Sequence, residues 1–414
     1  MSDSEWTPTT VAELSRLIGE NARADRCPIV PVGGRTALGI GGRIVTEPQY
    51  LSTIELNQVL DYPARDMTVT VESGIRMDRL QEVLREQNQT LPIETAHSSR
   101  ATLGGAVASN ACGPSRFGNG TFRDYVIGIS AVDGRGRLFS AGGRVVKNVA
   151  GYDLGKLLVG SLGTLAVITS VTLKLRPLPE QKRFVIAAVS PGTIEPVLAQ
   201  LNKSATRPVV LDVLNAKCAW QIQREFPREL PEGVSLVWLG YEGAESEINW
   251  QIETVRNELN NFSPIEVIVP EEDEVEKMWT ALVEFQTTSD DPATFQAQLL
   301  PSRCEMFLDL CTKHNVAAQV HAGDGVVIGH LSDEHSSLDA AKNVVTALRR
   351  FAEDSSGALT ILSCDPDWKQ ELSVFGRLPA SWKLMEEIKK KLDPDSVFSP
   401  GRLFDHETNH AQKN

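Results

Sequence analysis

Three stretches of this chain bring backbone amides, rather than side chains, to the front. VPVGGRTALGIGG (30–42) places consecutive glycines directly after a short apolar run. Amides with no side chain in the way form a nest for phosphate oxygens, even on an acidic protein, because the donors are local and fixed. Taken alone, the same loop reads equally well as a glycine-rich turn. TLGGAVASNACGPSR (102–116) carries one charge, Arg116, and almost everything else in it is small. Gly104, Gly105, Ala106, Ala108 and Ser109 would let a backbone lie against a large flat ligand, and the amides of Thr102 to Gly105 could bond its heteroatoms. The alternative is a tight packing seam. GGRVVKNVAGYDLGKLLVGSLGTLAVIT (142–169) could run a loop, a short helix and a strand along the other side of the same ligand. No G-x-G-x-x-G opens a helix after a strand, and the segment from Gly151 to Leu157 has the wrong spacing for a P-loop.

The elements that must hold these loops follow from periodicity. Helical spacing marks 11–24, 75–87 and 380–394, and 152–161 reads as a short helix. Alternating strand character marks 67–74 and 164–179, the latter stopped by two prolines, and 28–34 reads as a short strand. A hairpin is expected around Asp133-Gly134 within 124–143. After Pro179 the glycine loops thin out, and strands at 184–190, 234–241 and 264–270 alternate with helices at 247–262 and 337–354. That pattern predicts an α+β second domain, an antiparallel sheet with helices on one face.

Composition excludes several roles. The 414 residues allow more than one full core. A net charge of −13 argues against an electrostatic grip on nucleic acid or an anionic membrane. Six scattered cysteines form no C-x-x-C, which speaks against an iron–sulfur cluster, a zinc ribbon or a disulfide framework and fits a reducing cytosol. With no apolar leader and no membrane-length apolar run, any membrane association is expected to come through a partner.

TLGGAVASNACGPSRFGNGTFRDYVIG, GGRVVKNVAGYDLGKLLVGSLGTLAVIT and the terminal LDPDSVFSPGRL, in this order, resemble the FAD-binding domain of the vanillyl-alcohol oxidase/PCMH superfamily, and within it the E-type FAD-binding subunits of glycolate oxidase. The resemblance implies a PCMH-type FAD-binding domain of two subdomains over 1–179, an α+β cap domain over 180–375, a C-terminal segment over 376–405 that returns to the FAD domain, and a tail over 406–414. Position by position it implies that Val32, Gly33, Gly34, Arg35 and Thr36 form the pyrophosphate loop. Thr102, Leu103, Gly104, Gly105, Ser109 and Asn110 would run along the pyrophosphate and flavin, and Val167 would meet the adenosine side. Many relatives have Gly where this chain has Ala166. Some superfamily members attach flavin covalently through a histidine in the first loop; Arg35 stands there, so non-covalent FAD is expected, with Cys112 read as a buried thiol. Lys147, Tyr152 and Asp153 are read as residues that hold their loop.

Related D-type subunits and D-2-hydroxy-acid dehydrogenases carry a motif H-x-G-D-G-N-x-H in the cap, followed later by a Glu-His pair, for a divalent metal and a base. Here HAGDGVVIGH (321–330) keeps His321 and the Gly323-Asp324-Gly325 turn, but Ile328 occupies the second histidine position and Asp365-Pro366 the Glu-His position. Proline is neither base nor ligand. Two readings follow: His321 and Asp324 are ordinary hairpin residues, or His321, His330 and Asp365 form a rebuilt catalytic or metal site. The implied function is an FAD-binding subunit of a multi-subunit glycolate oxidase that turns glycolate into glyoxylate. A paralogous D-type flavin subunit would carry the hydroxy-acid site and an iron–sulfur subunit would pass electrons on, in the cytoplasm or at the inner face of the membrane through partners. A self-sufficient FAD-dependent 2-hydroxy-acid or alditol oxidase, and a scaffold that has lost flavin, stay open.

Overall fold

The computed structural model describes residues 5–24, 26–44, 47–143, 154–226, 228–287 and 291–404. Lys147, Tyr152, Asp153 and the 406–414 tail lie outside the described residues. The chain divides into two compact units: Met1–Cys112, Thr121–Leu178 and Leu378–Asn414 form the first, and Gly113–Gly120 with Pro179–Arg377 form the second.

The first unit contains two main sheets. Helix Val11–Arg23 starts where the Thr10 side chain accepts a hydrogen bond from the Glu13 amide, and it buries Leu14 and Ile18, one turn apart. It packs against a small parallel sheet ordered Glu5–Trp6, Gln49–Ser52, Ile29–Val32. Strand Ile29–Val32 delivers the chain into the first glycine loop. The second sheet has five antiparallel strands in the order Val59–Asp61, Thr68–Glu72, Val167–Lys174, Val126–Val132, Leu138–Gly142. Its central strand Val167–Lys174 is buried on both faces, so the alternation expected for 164–179 gives way to an almost continuous buried run. The hairpin after Val132 turns on Asp133, whose carboxylate accepts from the Arg135 and Arg137 amides, and on Gly136 at φ 77°. The left-handed residue of that turn is therefore Gly136 rather than Gly134.

The small-residue stretch, given no secondary structure from sequence, forms a helix, Leu103–Ser109. Thr102 caps it, with its side chain accepting from the Gly105 amide, and Asn110 ends it in the left-handed region at φ 51°. Its buried face is a packing seam: a Cβ on Gly104 would stand 2.7 Å from Ser73 Cβ.

The C-terminal segment is woven into this unit. Helix Trp382–Leu392 leads to residues 397–399, which pair with the start of strand Ile29–Val32: the Ile29 amide donates to Val397 O at 2.7 Å, and the Ser399 amide to Ile29 O at 2.8 Å. Lys389 pins the segment from inside. Its Nζ donates to Thr164 O (2.7 Å), to Phe398 O (3.0 Å) and to the Asp393 carboxylate, which also accepts from the amides of Val397 and Phe398. Burial pushes the Lys389 ammonium below its ordinary value, and the Asp393 charge opposes that shift.

The second unit is one eight-stranded antiparallel sheet in the order Glu266–Ile268, Gln181–Val189, Ser235–Gly243, Val210–Leu214, Ala317–His321, Val326–His330, Ala293–Gln298, Ala358–Cys364. Helices Ile194–Leu201, Glu245–Asn260, Cys304–Lys313 and Leu338–Asp354 cover one face, burying Leu211, Val213, Ala318, Val320 and Val327 against them. The other face is not bare, as helices on one face alone would leave it. Trp279, from helix Glu272–Glu284, lies over Phe184 with ring centroids 4.8 Å apart.

Lys389→Met strands the buried Asp393 carboxylate without its cation and leaves two carbonyls short of a donor. Breaking a buried pair in this way costs about 3–5 kcal/mol. The midpoint of urea unfolding should fall accordingly; an unchanged midpoint would show that the C-terminal segment is not held by this lysine.

Candidate functional site

The first unit has a groove between the glycine loop, helix Leu103–Ser109 and the start of strand Val167–Lys174. It encloses about 670 Å³ of empty space, open solvent at its mouth included.

The groove depends on absent side chains. A Cβ on Gly33 would stand 2.0 Å from Thr102 Oγ1, and one on Gly34 would stand 1.7 Å from Arg100 O. The loop therefore rests directly on the backbone that caps the helix. Among the described residues, nothing accepts a hydrogen bond from the amides of Gly33, Gly34, Arg35 or Thr36. Arg35 sits at φ 57°, and its guanidinium is engaged by Glu5 (3.1 Å) and by the Tyr50 ring (4.7 Å to the centroid). What Arg35 offers the groove is its backbone. The helix amides differ from expectation. Leu103 N donates to Ile75 O, Gly104 N to Ser73 O and Gly105 N to Thr102 Oγ1, so these three are spent within the protein. The Ser109 hydroxyl is likewise turned back onto Gly105 O at 2.9 Å. The helix contributes closeness and a smooth wall through Gly105 and Ala108.

Of the residues assigned from sequence, Val32, Gly33, Gly34, Arg35, Thr36, Thr102, Gly104, Gly105, Ser109 and Val167 line the groove. Leu103 is fully buried in the core and Asn110 forms the helix C-cap, so neither reaches it. Ala166 lines it too, as does Arg402, which sequence reasoning missed. The signal for Arg402 was a lone cation in an apolar terminal motif, SPGRLF. Cys112 is buried, with its thiol 3.8 Å from Asn110 Oδ1.

The charge pattern of the wall is one-sided. Among the described residues no Asp or Glu lines the groove, although the chain carries a net charge of −13. Free amides, a guanidinium and a carboxylate-free wall suit a diphosphate, and the small residues beyond suit a flat ring. These residues fit FAD.

His321 and His330 of the second unit form two separate pairs with carboxylates. His321, at the end of strand Ala317–His321, places Nδ1 2.8 Å from Asp212 Oδ1, and both side chains are fully buried. A carboxylate accepts, so Nδ1 holds the proton and Nε2 faces the Gln286 amide at 3.4 Å. The second Asp212 oxygen accepts from Gln319 Nε2 at 2.7 Å. His330 Nδ1 lies 2.9 Å from Asp291 Oδ2, with the Phe285 ring 4.3 Å from its own. The register pairs His321 with Val326 and His330 with Ala317, which separates the two histidines by four residues, on the order of 13 Å. Asp365 is exposed and caps its own turn through the Asp367 amide. The structure does not bring His321, His330 and Asp365 together, and no group of three metal-ligating side chains occurs among the described residues. Asp324 is a turn residue paired with Arg116 at 3.2 Å. Asp212 was legible only as a charge inside the apolar strand VVLDVLN (209–215).

Gly34→Val should separate the loop from residues 100–102 and lower the FAD content of the purified chain about tenfold or more. The visible flavin band, measured against protein after gel filtration, checks this. A variant that keeps full flavin would remove the close approach from the account.

Comparison with known proteins agrees with this geometry. Residues 5–142 match the FAD-binding domain family. The chain is 25% identical to glycolate oxidase subunit GlcD of Bacillus subtilis (strain 168), over 98% of this chain and 89% of that protein. It is 27% identical to glycolate oxidase subunit GlcE of Escherichia coli (strain K12), over 92% of this chain and 94% of that protein. Among solved structures, p-cresol methylhydroxylase with substrate bound superposes with a TM-score of 0.74 at 15% identity, covering 96% of this chain and 88% of that one. The chain thus carries an FAD-binding domain over residues 5–142 and has the p-cresol methylhydroxylase-type α+β fold.

Proposed function

We propose that this FAD-dependent oxidoreductase is the E-type subunit of a multi-subunit glycolate oxidase. It would hold FAD non-covalently in the groove of the first unit, while a paralogous D-type subunit carries the hydroxy-acid site and an iron–sulfur subunit carries electrons onward. Similarity to subunits of both types over more than nine-tenths of the chain supports the complex. The observation that carries the E-type reading is the contrast between the two units. The lining of the groove fits FAD, whereas His321 and His330 are each buried against a separate carboxylate.

Converting glycolate to glyoxylate breaks an O–H and a C–H bond and releases two electrons and two protons. FAD, when bound, accepts the hydride. The protein must supply a base for the hydroxyl proton, and Pro366 and Ile328 stand where relatives carry a base and a metal ligand. Catalysis by the chain alone lacks those groups. Arg35 in place of a linking histidine fits dissociable FAD. Among the described residues no helix is long and apolar enough to cross a membrane, and we place the chain in the cytoplasm, with any membrane contact made by partners.

The test is the absorption spectrum of the FAD-loaded single chain before and after anaerobic glycolate or D-lactate. The flavin should stay oxidised with this chain alone and bleach once the D-type subunit is added. Bleaching without the partner would overturn the partner-dependent reading, and a chain that takes up no flavin would make it a scaffold.

A second reading, a self-sufficient 2-hydroxy-acid oxidase, is favoured by one observation. Asp212 fixes the tautomer of His321 as a carboxylate does for a general base. On that reading Asp212→Asn should lower kcat by about a hundredfold or more. On the reading preferred here it should leave the activity of the reconstituted complex unchanged and lower only the stability of the second unit.

A further inference from the structure

Arg402 is an unusual cation. Its side chain is 6% exposed, yet no carboxylate faces it among the described residues. Nε donates to Ile40 O at 3.0 Å and one terminal nitrogen, Nη2, donates to Ala37 O at 2.6 Å. The other, Nη1, has no acceptor among the described residues. Burial lowers its pKa to about 10, the mark of a charge held without a counter-ion. The backbone is engaged as well: the Gly42 amide donates to Arg402 O at 2.7 Å, and a Cβ on Gly41 would meet that oxygen at 2.5 Å. The residue thus clamps both ends of the 37–42 loop and opens onto the groove beside the unpaired amides of residues 33–36.

A buried guanidinium with a spare donor and no carboxylate is costly unless an anion completes it. Resting on the reading of this groove as an FAD site, we propose that Arg402 is the cation that binds the diphosphate of FAD, so that the C-terminal segment latches the cofactor into the first unit. The two carbonyl bonds fix the plane of the guanidinium, and Nη1 is left to donate to a phosphate oxygen.

The experiment titrates apoprotein with FAD, ADP and riboflavin by calorimetry or flavin fluorescence, in wild type, Arg402→Gln and Arg402→Lys. ADP carries the diphosphate without the flavin, and riboflavin the flavin without phosphate. A charge-assisted hydrogen bond predicts about a 10–100-fold loss of FAD and ADP affinity in Arg402→Gln, with riboflavin affinity unchanged. Arg402→Lys should recover part of the loss, and the wild-type affinity for ADP should fall with added salt more steeply than that of Arg402→Gln. Equal losses for riboflavin and FAD would make Arg402 a loop clamp only and overturn the proposal, as would FAD affinity unchanged in both variants. If Arg402→Gln does not fold, the Arg402→Lys ratio of ADP to riboflavin affinity decides alone, and an unchanged ratio overturns the proposal. Wild-type protein that binds riboflavin but neither FAD nor ADP would instead defeat the FAD reading itself.

Discussion

Everything at the groove depends on a contact that no side chain permits. Gly34 lies so close to the Arg100 carbonyl that a Cβ would stand 1.7 Å from it, and Gly33 is almost as close to Thr102. Backbone meeting backbone at that distance fixes the loop against the cap of helix Leu103–Ser109. Among the described residues no acceptor meets the amides of residues 33–36. Amides without an acceptor are unfavourable when buried and useful at a site: they remain pre-aimed for oxygens that arrive with a ligand. The same economy shapes the helix. Gly104 presses one face into Ser73, while Gly105 and Ala108 leave the other flat. The small-residue stretch is a packing seam on one side and lines the groove on the other.

Much of this was legible from sequence because the signals were local. Glycine pairs after an apolar run and the alternation in 67–74 each report on their own neighbourhood. Legibility failed where partners come from afar. Leu103 and Asn110 were assigned to the groove by their place in a motif, but a helix turns successive residues by about 100° and sends them elsewhere. The central strand Val167–Lys174 lost its alternation because both faces are covered, which only the tertiary arrangement decides. Arg402 stands more than 350 residues from the loop whose carbonyls it holds. The lone charge in SPGRLF was visible; its destination was not.

The histidines teach the complementary lesson. His321, Asp324 and His330 sit within ten residues and suggest one cluster. In a hairpin, closeness along the chain becomes separation along the strands, and the register puts the two imidazoles at opposite ends. Each finds a carboxylate on a different element: Asp212 across the sheet, and Asp291 just before the neighbouring strand Ala293–Gln298. A buried imidazole–carboxylate pair with its tautomer fixed holds the sheet together, and it also resembles the rear half of a catalytic pair. What distinguishes the two is access: His321 is 1% exposed and its second nitrogen faces Gln286.

The C-terminal segment links these observations to folding. The groove takes its loop from residues 33–38, its cap from 102, its wall from 163–168 and its buried cation from 402. Lys389 joins the last helix to Thr164, next to Gly163 in that wall. Strand Ile29–Val32, which launches the loop, is itself paired at Ile29 by 397–399. A nascent chain therefore has the amides of the loop long before it has the segment that clamps them, and contacts of such sequence separation form late. A ligand that bridges loop and cation binds only the completed unit and stabilises it by mass action. Cofactor uptake is thereby tied to completion of the chain.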